Sequence, residues 1–177
     1  LPPASFRVLE NGRPVTQILT SSCPPINNDL LANVLLIGDR SGSMNGEKVL
    51  RMKKGFTSFI NDYPFALGGS VGLTAFNAFP LLYSTFRTTQ QPLLRAVNSI
   101  QVAGGTDVTN AFLDPIAGGI PLLRRLQSNL RRILVMVTDA LPTDMTDTQA
   151  TAIIAAANAA GVEIHVVILG VPATPEV

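Results

Sequence analysis

The chain has 177 residues, of which 46% are hydrophobic and 14% are charged, and its formal net charge is +1. This length allows one domain with a substantial core and is too short for two ordinary domains. The small net charge excludes the strongly basic surface that attracts nucleic acid or an acidic membrane, and a single cysteine, Cys23, excludes an internal disulfide.

The first predicted element is a β-hairpin between residues 6 and 18. Apolar residues alternate on either side of Asn11-Gly12, a dipeptide that tolerates the positive φ angles of a tight turn. A segment rich in Ser, Pro and Asn follows and is predicted to be a linker. The predicted units are a hairpin with linker over 1–32, a main domain over 33–171 and a tail over 172–177.

Strands and helices then alternate along the main domain. Apolar runs predict strands at 33–38, 71–79, 81–86, 133–137 and 163–169. Apolar residues at helical spacing predict helices at 48–60, after Thr89, at 108–117, after Pro121 and at 148–160. This alternation predicts an α/β fold with a doubly wound, mostly parallel central sheet and helices on both faces. Pro80 allows a turn before the third strand, which is expected to lie antiparallel at an edge.

Three polar loops interrupt this pattern. Asp39-Arg40-Ser41-Gly42-Ser43 follows the first core strand, Gly104-Gly105-Thr106-Asp107 precedes a helix, and Thr138-Asp139 ends a later strand. In an open α/β sheet, loops at the carboxyl ends of neighbouring strands converge in one crevice, where ligands bind. We therefore expect two carboxylates and three hydroxyls to meet there, those of Asp39, Ser41, Ser43, Thr106 and Asp139.

A set of oxygen donors without Cys or His favours a hard cation, namely Mg²⁺, Mn²⁺ or Ca²⁺. Because hydroxyl ligands are neutral, they leave part of the cation's charge uncancelled, so a carboxylate from another molecule can complete the coordination. The positive end of the helix that begins near Gly46 would favour an incoming anion on the same side. These residues therefore predict a divalent cation that binds an acidic group of a partner.

This pattern resembles the metal-ion-dependent adhesion site of the von Willebrand factor type A family, over residues 33–170. The resemblance depends on Asp-x-Ser-x-Ser after a buried strand, on the Met and amphipathic helix after it, and on the other two loops in order. It implies a Rossmann-like fold. It also implies that Ser41, Ser43 and Thr106 bind the ion through hydroxyls, and that Asp39 and Asp139 bind directly or through water.

The resemblance also implies how the domain is used. Asp107 would support the ion ligands from outside their set, and Arg40 and Met44 would contact the partner. That partner is expected to be a protein supplying a Glu or Asp carboxylate, with no nucleic acid bound and no enzymatic activity. Membrane contact is expected only through parts of a parent protein outside this sequence.

The N-terminal pattern Phe-x-Val-x-Glu-x-Gly resembles a segment ahead of the domain in many bacterial relatives, which indicates a bacterial origin. A secreted, periplasmic or cell-surface location is favoured over a cytoplasmic one.

Two features depart from the family pattern. Ala140 stands where a glycine often follows the last aspartate. The sequence also stops soon after the strand ending near Gly170, whereas the family usually continues with a further strand and a C-terminal helix. In some members that helix transmits a shift between low- and high-affinity states, so the resemblance leaves open whether such switching occurs here.

Two other functions stay open at this point. A Mg²⁺-dependent phosphoryl-transfer enzyme also places aspartates at strand ends, but it needs a nucleophilic or general-base carboxylate and cationic clamps. The second residue after Asp39 is Ser41, and Arg40 is expected to be the only cation close to the three loops. The other alternative is an accessory or assembly subunit in which the metal only orders the loops.

A local basic cluster is predicted to be a solvated face rather than a nucleic-acid site, because no aromatic residues interleave with it. It consists of Arg124, Arg125, Arg131 and Arg132.

Overall fold

The computed structural model describes residues 31–139 and 145–170, together with the backbone of 9–10 and 13–14. Strand β1 (Leu9–Glu10) pairs antiparallel with β2 (Arg13–Pro14), which confirms an antiparallel pair in the predicted hairpin. Asn11-Gly12, Cys23 and the predicted linker up to residue 30 lie outside the described residues, as does the predicted tail. The predicted domain limits therefore stay predictions.

Five strands form the main sheet, and their order across it is β5-β4-β3-β6-β7. All neighbouring pairs are parallel except β4 and β5, so β5 is an antiparallel edge strand. This confirms the predicted doubly wound, mostly parallel sheet. The strands are β3 (Ala32–Asp39), β4 (Ser70–Phe76), β5 (Pro80–Arg87), β6 (Arg131–Thr138) and β7 (Val162–Ile168).

Helices cover both faces of this sheet. Successive side chains of a strand point to opposite faces, so Val34 and Leu36 of β3 pack in one buried cluster while Leu35 and Ile37 pack in the other. Helices α1 and α2 contribute to the first cluster, and α3, α4 and α5 to the second. The helices are α1 (Glu47–Asp62), α2 (Gln90–Ser99), α3 (Val108–Leu113), α4 (Gly119–Arg124) and α5 (Asp147–Ala160).

In the part of the chain that the structure describes, none of the helices has the length and apolar character needed to cross a lipid bilayer.

The predicted helix over 108–117 is wrong beyond Leu113. Asp114 precedes Pro115, and the proline ring disfavours the helical conformation of the residue before it. Asp114 accordingly has an extended ψ of 127°, and its Oδ1 accepts hydrogen bonds from the backbone N–H groups of Ile116 and Ala117, each at 2.8 Å. The chain then turns and begins α4, so one predicted helix is a short helix followed by a turn.

Three arginines of the basic cluster are engaged within the fold. Arg131 forms an ion pair of 2.6 Å with Glu163 on β7, and Arg132 donates to the backbone carbonyl of Ala160 at 3.2 Å. Arg125 donates to the carbonyl oxygens of residues 115 and 116. These contacts support a structural use of the cluster.

The second face is closely packed at Gly119, where α4 begins. A Cβ atom there would lie 2.4 Å from Leu134 Cδ1 and 2.6 Å from Ile37 Cδ1, so an added methyl group would force the ends of these two core side chains to move. By contrast, a Cβ atom on Gly55, in the exposed middle of α1, would meet nothing within 4 Å. A methyl group therefore has free space at Gly55 and lacks it at Gly119.

We predict that G119A lowers the free energy of unfolding by about 1–3 kcal/mol, because overpacking displaces neighbouring core side chains. G55A should raise it by about 0.5–1 kcal/mol, because alanine loses less backbone entropy than glycine inside a helix. Urea denaturation of both variants beside the parent protein measures the two changes. Equal effects of the two substitutions would contradict this packing account.

Candidate metal centre

The candidate site lies at the carboxyl end of the central strand β3. This strand pairs with β4 on one side and β6 on the other, so the crossovers leave it in opposite directions. A crevice at such a topological switch point is the usual ligand site of an open α/β sheet. Asp39, the last residue of β3, stands at this point, opposite Phe76 of β4 and next to the end of β6.

Asp39 is fully buried, with 0% of its surface exposed. Its Oδ1 accepts a hydrogen bond from the backbone N–H of Ser41 at 2.8 Å, and its Oδ2 accepts one from Thr138 Oγ1 at 2.5 Å. A buried carboxylate is stable only where donors or cations replace its lost hydration. The two bonds therefore hold the loop after β3 and the end of β6 against one carboxylate.

A chain of hydrogen bonds continues from Ser41 toward the surface. The Ser41 hydroxyl is 3.1 Å from that of Ser43, and Ser43 Oγ donates to Asp139 Oδ1 at 2.8 Å. Ser41 is buried, Ser43 is exposed, and the Asp139 side chain is only 4% exposed. The structure thus brings together four of the five predicted ligands, which lie on two loops far apart in sequence.

A lysine also reaches this cluster, which corrects the expectation that Arg40 is the only nearby cation. Lys48 Nζ lies 2.6 Å from Asp139 Oδ2 and forms an ion pair with it. Lys48 belongs to the first turn of α1, which begins just after the Ser43 loop. The predicted ligand Asp139 therefore already has a protein cation on one of its two oxygens.

The loop with the fifth predicted ligand is fastened beside the first loop by backbone hydrogen bonds. Gly42 N–H donates to Gly104 O at 2.9 Å, and Ala103 N–H donates to Arg40 O at 2.8 Å. Thr106 itself is exposed, and no hydrogen bond of its hydroxyl is found within the described residues. Its backbone loop is thus placed at the site, while its role as a ligand stays a prediction.

Asn77, just after β4, fixes the same loop from the other side. Its Nδ2 donates to Ala103 O at 2.7 Å, and its backbone O accepts from Asp107 N–H at 2.8 Å. Gly104 has a φ of +80°, and a Cβ atom there would lie 2.9 Å from Asn77 Nδ2. A glycine is therefore required at this position by both conformation and space.

Asp107 has a structural role as the N-cap of α3. Its Oδ1 accepts from the backbone N–H of Asn110 at 2.9 Å, and its Oδ2 accepts from Asn110 Nδ2 at 2.8 Å. A capping carboxylate satisfies an N–H group that the helix cannot satisfy itself. The further prediction that Asp107 supports the ion ligands stays a prediction.

The two predicted partner contacts differ in accessibility. Met44 is fully buried and packs in the cluster that lies under α1 and α2, so its side chain offers no surface to a partner. The prediction for Met44 is therefore wrong in this structure. Arg40 is half-buried, and its Nη1 lies 3.5 Å from the carbonyl oxygen of Gln101, which leaves its role in partner binding a prediction.

The donors present fit a hard divalent cation. Among the described residues there is no cluster of three His, Cys, Asp or Glu side chains able to hold a metal ion, so a cation here would depend on hydroxyl oxygens. The exposed Ser43 hydroxyl, the nearly buried Asp139 carboxylate, and the buried Ser41 and Asp39 supply oxygen ligands of the kind that Mg²⁺ and Mn²⁺ accept.

Three contributing residues were not predicted as site residues. Asn77 and Thr138 are polar residues at the carboxyl ends of neighbouring strands, and this position is a signal that the sequence contains. Lys48 follows Ser43 closely in the chain and is the first residue of a predicted helix. Its reach to Asp139 depends on where the end of β6 lies, which no local pattern shows.

Comparison with known proteins identifies the family. Residues 34–142 match the von Willebrand factor type A domain, which is more than half of the chain. The chain therefore belongs to the von Willebrand factor type A family, as the resemblance predicted. No curated protein sequence matches the chain.

Several solved structures share the fold at low sequence identity. An aerotolerance-related membrane protein from Bacteroides fragilis is 18% identical, with a TM-score of 0.63 over 81% of this chain and 69% of its own. A von Willebrand factor type A protein from Catenulispora acidiphila is 15% identical, with a TM-score of 0.64 over 77% of this chain and 33% of its own.

The pilus adhesin SpaC from Lactobacillus rhamnosus GG is 20% identical, with a TM-score of 0.54 over 64% of this chain and 15% of its own. At these identities the likeness shows the fold alone. The Catenulispora acidiphila protein and SpaC are both much longer than this chain.

We predict that T138V lowers the free energy of unfolding by about 1.5–3 kcal/mol, because the buried Asp39 carboxylate loses a charge-assisted hydrogen bond. Thr85, an exposed residue of β5, provides a matched control, and T85V should change stability by less than about 0.5 kcal/mol. Chemical denaturation in EDTA measures both variants. If T138V is as stable as T85V, the bond to Asp39 does not hold the loop.

Proposed function

We propose that this domain binds a protein partner through a divalent cation, Mg²⁺ in the first place, to which the partner contributes a Glu or Asp carboxylate. Asp39, Ser41, Ser43, Thr106 and Asp139 would hold the ion. The ion supplies a Lewis-acidic positive charge, and the residues of this chain orient it and leave one side open to the partner.

The hydrogen-bonded cluster of Asp39, Ser41, Ser43 and Asp139 is the observation that supports this proposal best. Its charged oxygens lie inward, with Asp39 fully buried and the Asp139 side chain 4% exposed, while the neutral Ser43 hydroxyl faces solvent. An ion bound here would have both carboxylates on its inner side and a neutral hydroxyl toward solvent, so its positive charge would be least compensated on the solvent side. An incoming carboxylate is then attracted by the charge of the ion and can bind it as a further oxygen ligand.

The same contacts argue against a phosphoryl-transfer enzyme. A nucleophilic or general-base carboxylate has to reach the substrate, but Asp39 is fully buried and both of its oxygens accept hydrogen bonds from the protein. Lys48, which could clamp a phosphoryl group, is paired with Asp139. Because these contacts already occupy Asp39 and Lys48, they favour a binding role over a catalytic one.

A secreted, periplasmic or cell-surface location is part of this proposal. It is supported by the similar structures, which include a membrane protein and a pilus adhesin. The alternative is an accessory subunit in which the ion only orders the loops. This alternative predicts that an added carboxylate does not strengthen metal binding.

Mn²⁺ or Mg²⁺ in excess should raise the melting temperature of the parent protein above its value in EDTA. A ligand at about 100 times its dissociation constant adds about 2.7 kcal/mol to stability, which corresponds to roughly 5–10 °C for a domain of this size. S43A removes an exposed ligand hydroxyl and should reduce this rise strongly, because the cation loses one of its oxygens. Differential scanning fluorimetry provides the measurement.

Ser58, an exposed serine farther along α1, is the matched control, and S58A should keep the full rise. A parent protein that melts at the same temperature in EDTA and in excess Mn²⁺ would show that these loops hold no ion.

Acetate should strengthen Mn²⁺ binding by about twofold or more if an external carboxylate completes the coordination, because linked ligands raise each other's affinity equally. Electron paramagnetic resonance of free Mn²⁺ measures this directly and accounts for Mn²⁺ bound by acetate itself. Chloride at the same ionic strength is the control salt. Equal affinities in acetate and chloride would favour the alternative in which the ion only orders the loops.

A further inference from the structure

We propose that the positive charge of Lys48 weakens metal binding when no acidic ligand is present. The metal ion and the acidic ligand would then each bind more tightly when the other is bound. This inference rests on the proposed function. It concerns a residue outside the five predicted ion ligands, and it assigns Lys48 a positioning and electrostatic role in ligand recognition.

Lys48 is integrated into the site through Asp139. Each oxygen of that carboxylate has a different protein partner. Oδ1 accepts a hydrogen bond from Ser43 Oγ at 2.8 Å, and Oδ2 is paired with Lys48 Nζ at 2.6 Å. The Asp139 side chain is 4% exposed, whereas that of Lys48 is 41% exposed. The ammonium group therefore closes the solvent side of one carboxylate oxygen.

The lysine side chain also lies next to the backbone of Gly170. Gly170, after the last strand, has a φ of +87°, and a Cβ atom there would lie 3.5 Å from Lys48 Cε and 3.9 Å from Lys48 Nζ. The backbone beyond β7 is tied to the site as well, because Leu169 N–H donates to Thr138 O at 2.8 Å. The ammonium group therefore lies between the start of α1 and the residues that follow β7.

This ion pair differs from an ordinary surface pair on the same helix. Arg51 and Glu47 are also 2.6 Å apart, but their side chains are 68% and 74% exposed. Solvent and salt screen such a pair, which typically contributes less than about 1 kcal/mol. The Lys48–Asp139 pair includes a carboxylate almost wholly removed from solvent, so the lysine charge is less screened on the side that faces the site.

The charges of the site explain the proposed coupling. Asp39 and Asp139 would together neutralise a divalent cation, but Lys48 adds a positive charge to the same cluster. The ion together with Asp39, Asp139 and Lys48 would thus have one positive charge in excess, which repels the metal ion and attracts an anion. A carboxylate from a partner restores neutrality, so metal and acidic ligand should bind more strongly together than separately.

The test replaces Lys48 by a neutral side chain of similar length. K48M should bind Mn²⁺ about tenfold or more tightly than the parent protein at low ionic strength, since a like charge near the ion is removed. The strengthening of Mn²⁺ binding by acetate should become smaller in the same variant. Free Mn²⁺ is measured by electron paramagnetic resonance, in chloride and in acetate, on the whole chain.

Two further variants separate charge from structure. K48R keeps a cation on the same stem and should retain the weaker Mn²⁺ binding and the larger acetate effect of the parent protein. Lys54 is an exposed lysine on the same helix, and K54M should match the parent in both measurements. Circular dichroism in EDTA shows whether each variant is folded.

Mn²⁺ affinity that is unchanged or weaker in folded K48M would overturn the inference about Lys48, while leaving the proposed metal site in place if the parent protein binds Mn²⁺. Tighter binding in K48R, equal to that in K48M, would also overturn it. If neither the parent protein nor K48M binds Mn²⁺, the proposed function and this inference both fail.

Discussion

The burial of the Asp39 carboxylate at the end of the central strand is the constraint around which the loops of this site are arranged. A fully buried carboxylate loses its hydration and must be compensated by donors or cations. Ser41 N–H and Thr138 Oγ1 provide that compensation. Because one donor comes from the next loop and the other from the neighbouring strand, satisfying this single group brings two distant parts of the chain together.

The loop that contains Gly104 is positioned by backbone hydrogen bonds, which a change of side chain does not remove, and by the side chain of Asn77. Gly104 O and Arg40 O accept from the facing loops, and Asn77 holds the same segment from the end of β4. The exposed Thr106 projects from this framework, and no hydrogen bond of its hydroxyl is found within the described residues, whereas the Ser43 hydroxyl links the loop after β3 to Asp139. A change of the Thr106 side chain is therefore expected to affect the fold less than a change of Ser43.

Membership of the von Willebrand factor type A family accounts for the fold of this chain. What the candidate site could bind depends on the particular charged side chains around it. The similar structures share 15–20% identity with this chain and establish only the fold. Function therefore has to be argued from side chains at the site. The pairing of Lys48 with Asp139 is such a feature, because it places a positive charge beside the carboxylates of the candidate site.

Local sequence patterns were sufficient for the order and kind of the elements and for naming Asp39, Ser41, Ser43 and Asp139 as a cluster. Short segments show strand periodicity, helix periodicity and polar residues at strand ends. Because the carboxyl ends of neighbouring parallel strands converge, the polar residues there can be predicted to form one site. Even the early end of α3 has a local signal, because Pro115 restricts the residue before it.

Only the tertiary structure decided which side chains touch. The register of β3 against β6 places Thr138 beside Asp39, and the packing of α1 over the sheet buries Met44 while it directs Lys48 to Asp139. These relations join residues about ninety or more positions apart. A sequence pattern describes neighbours along the chain, whereas the charge and accessibility of this site depend on neighbours across the sheet.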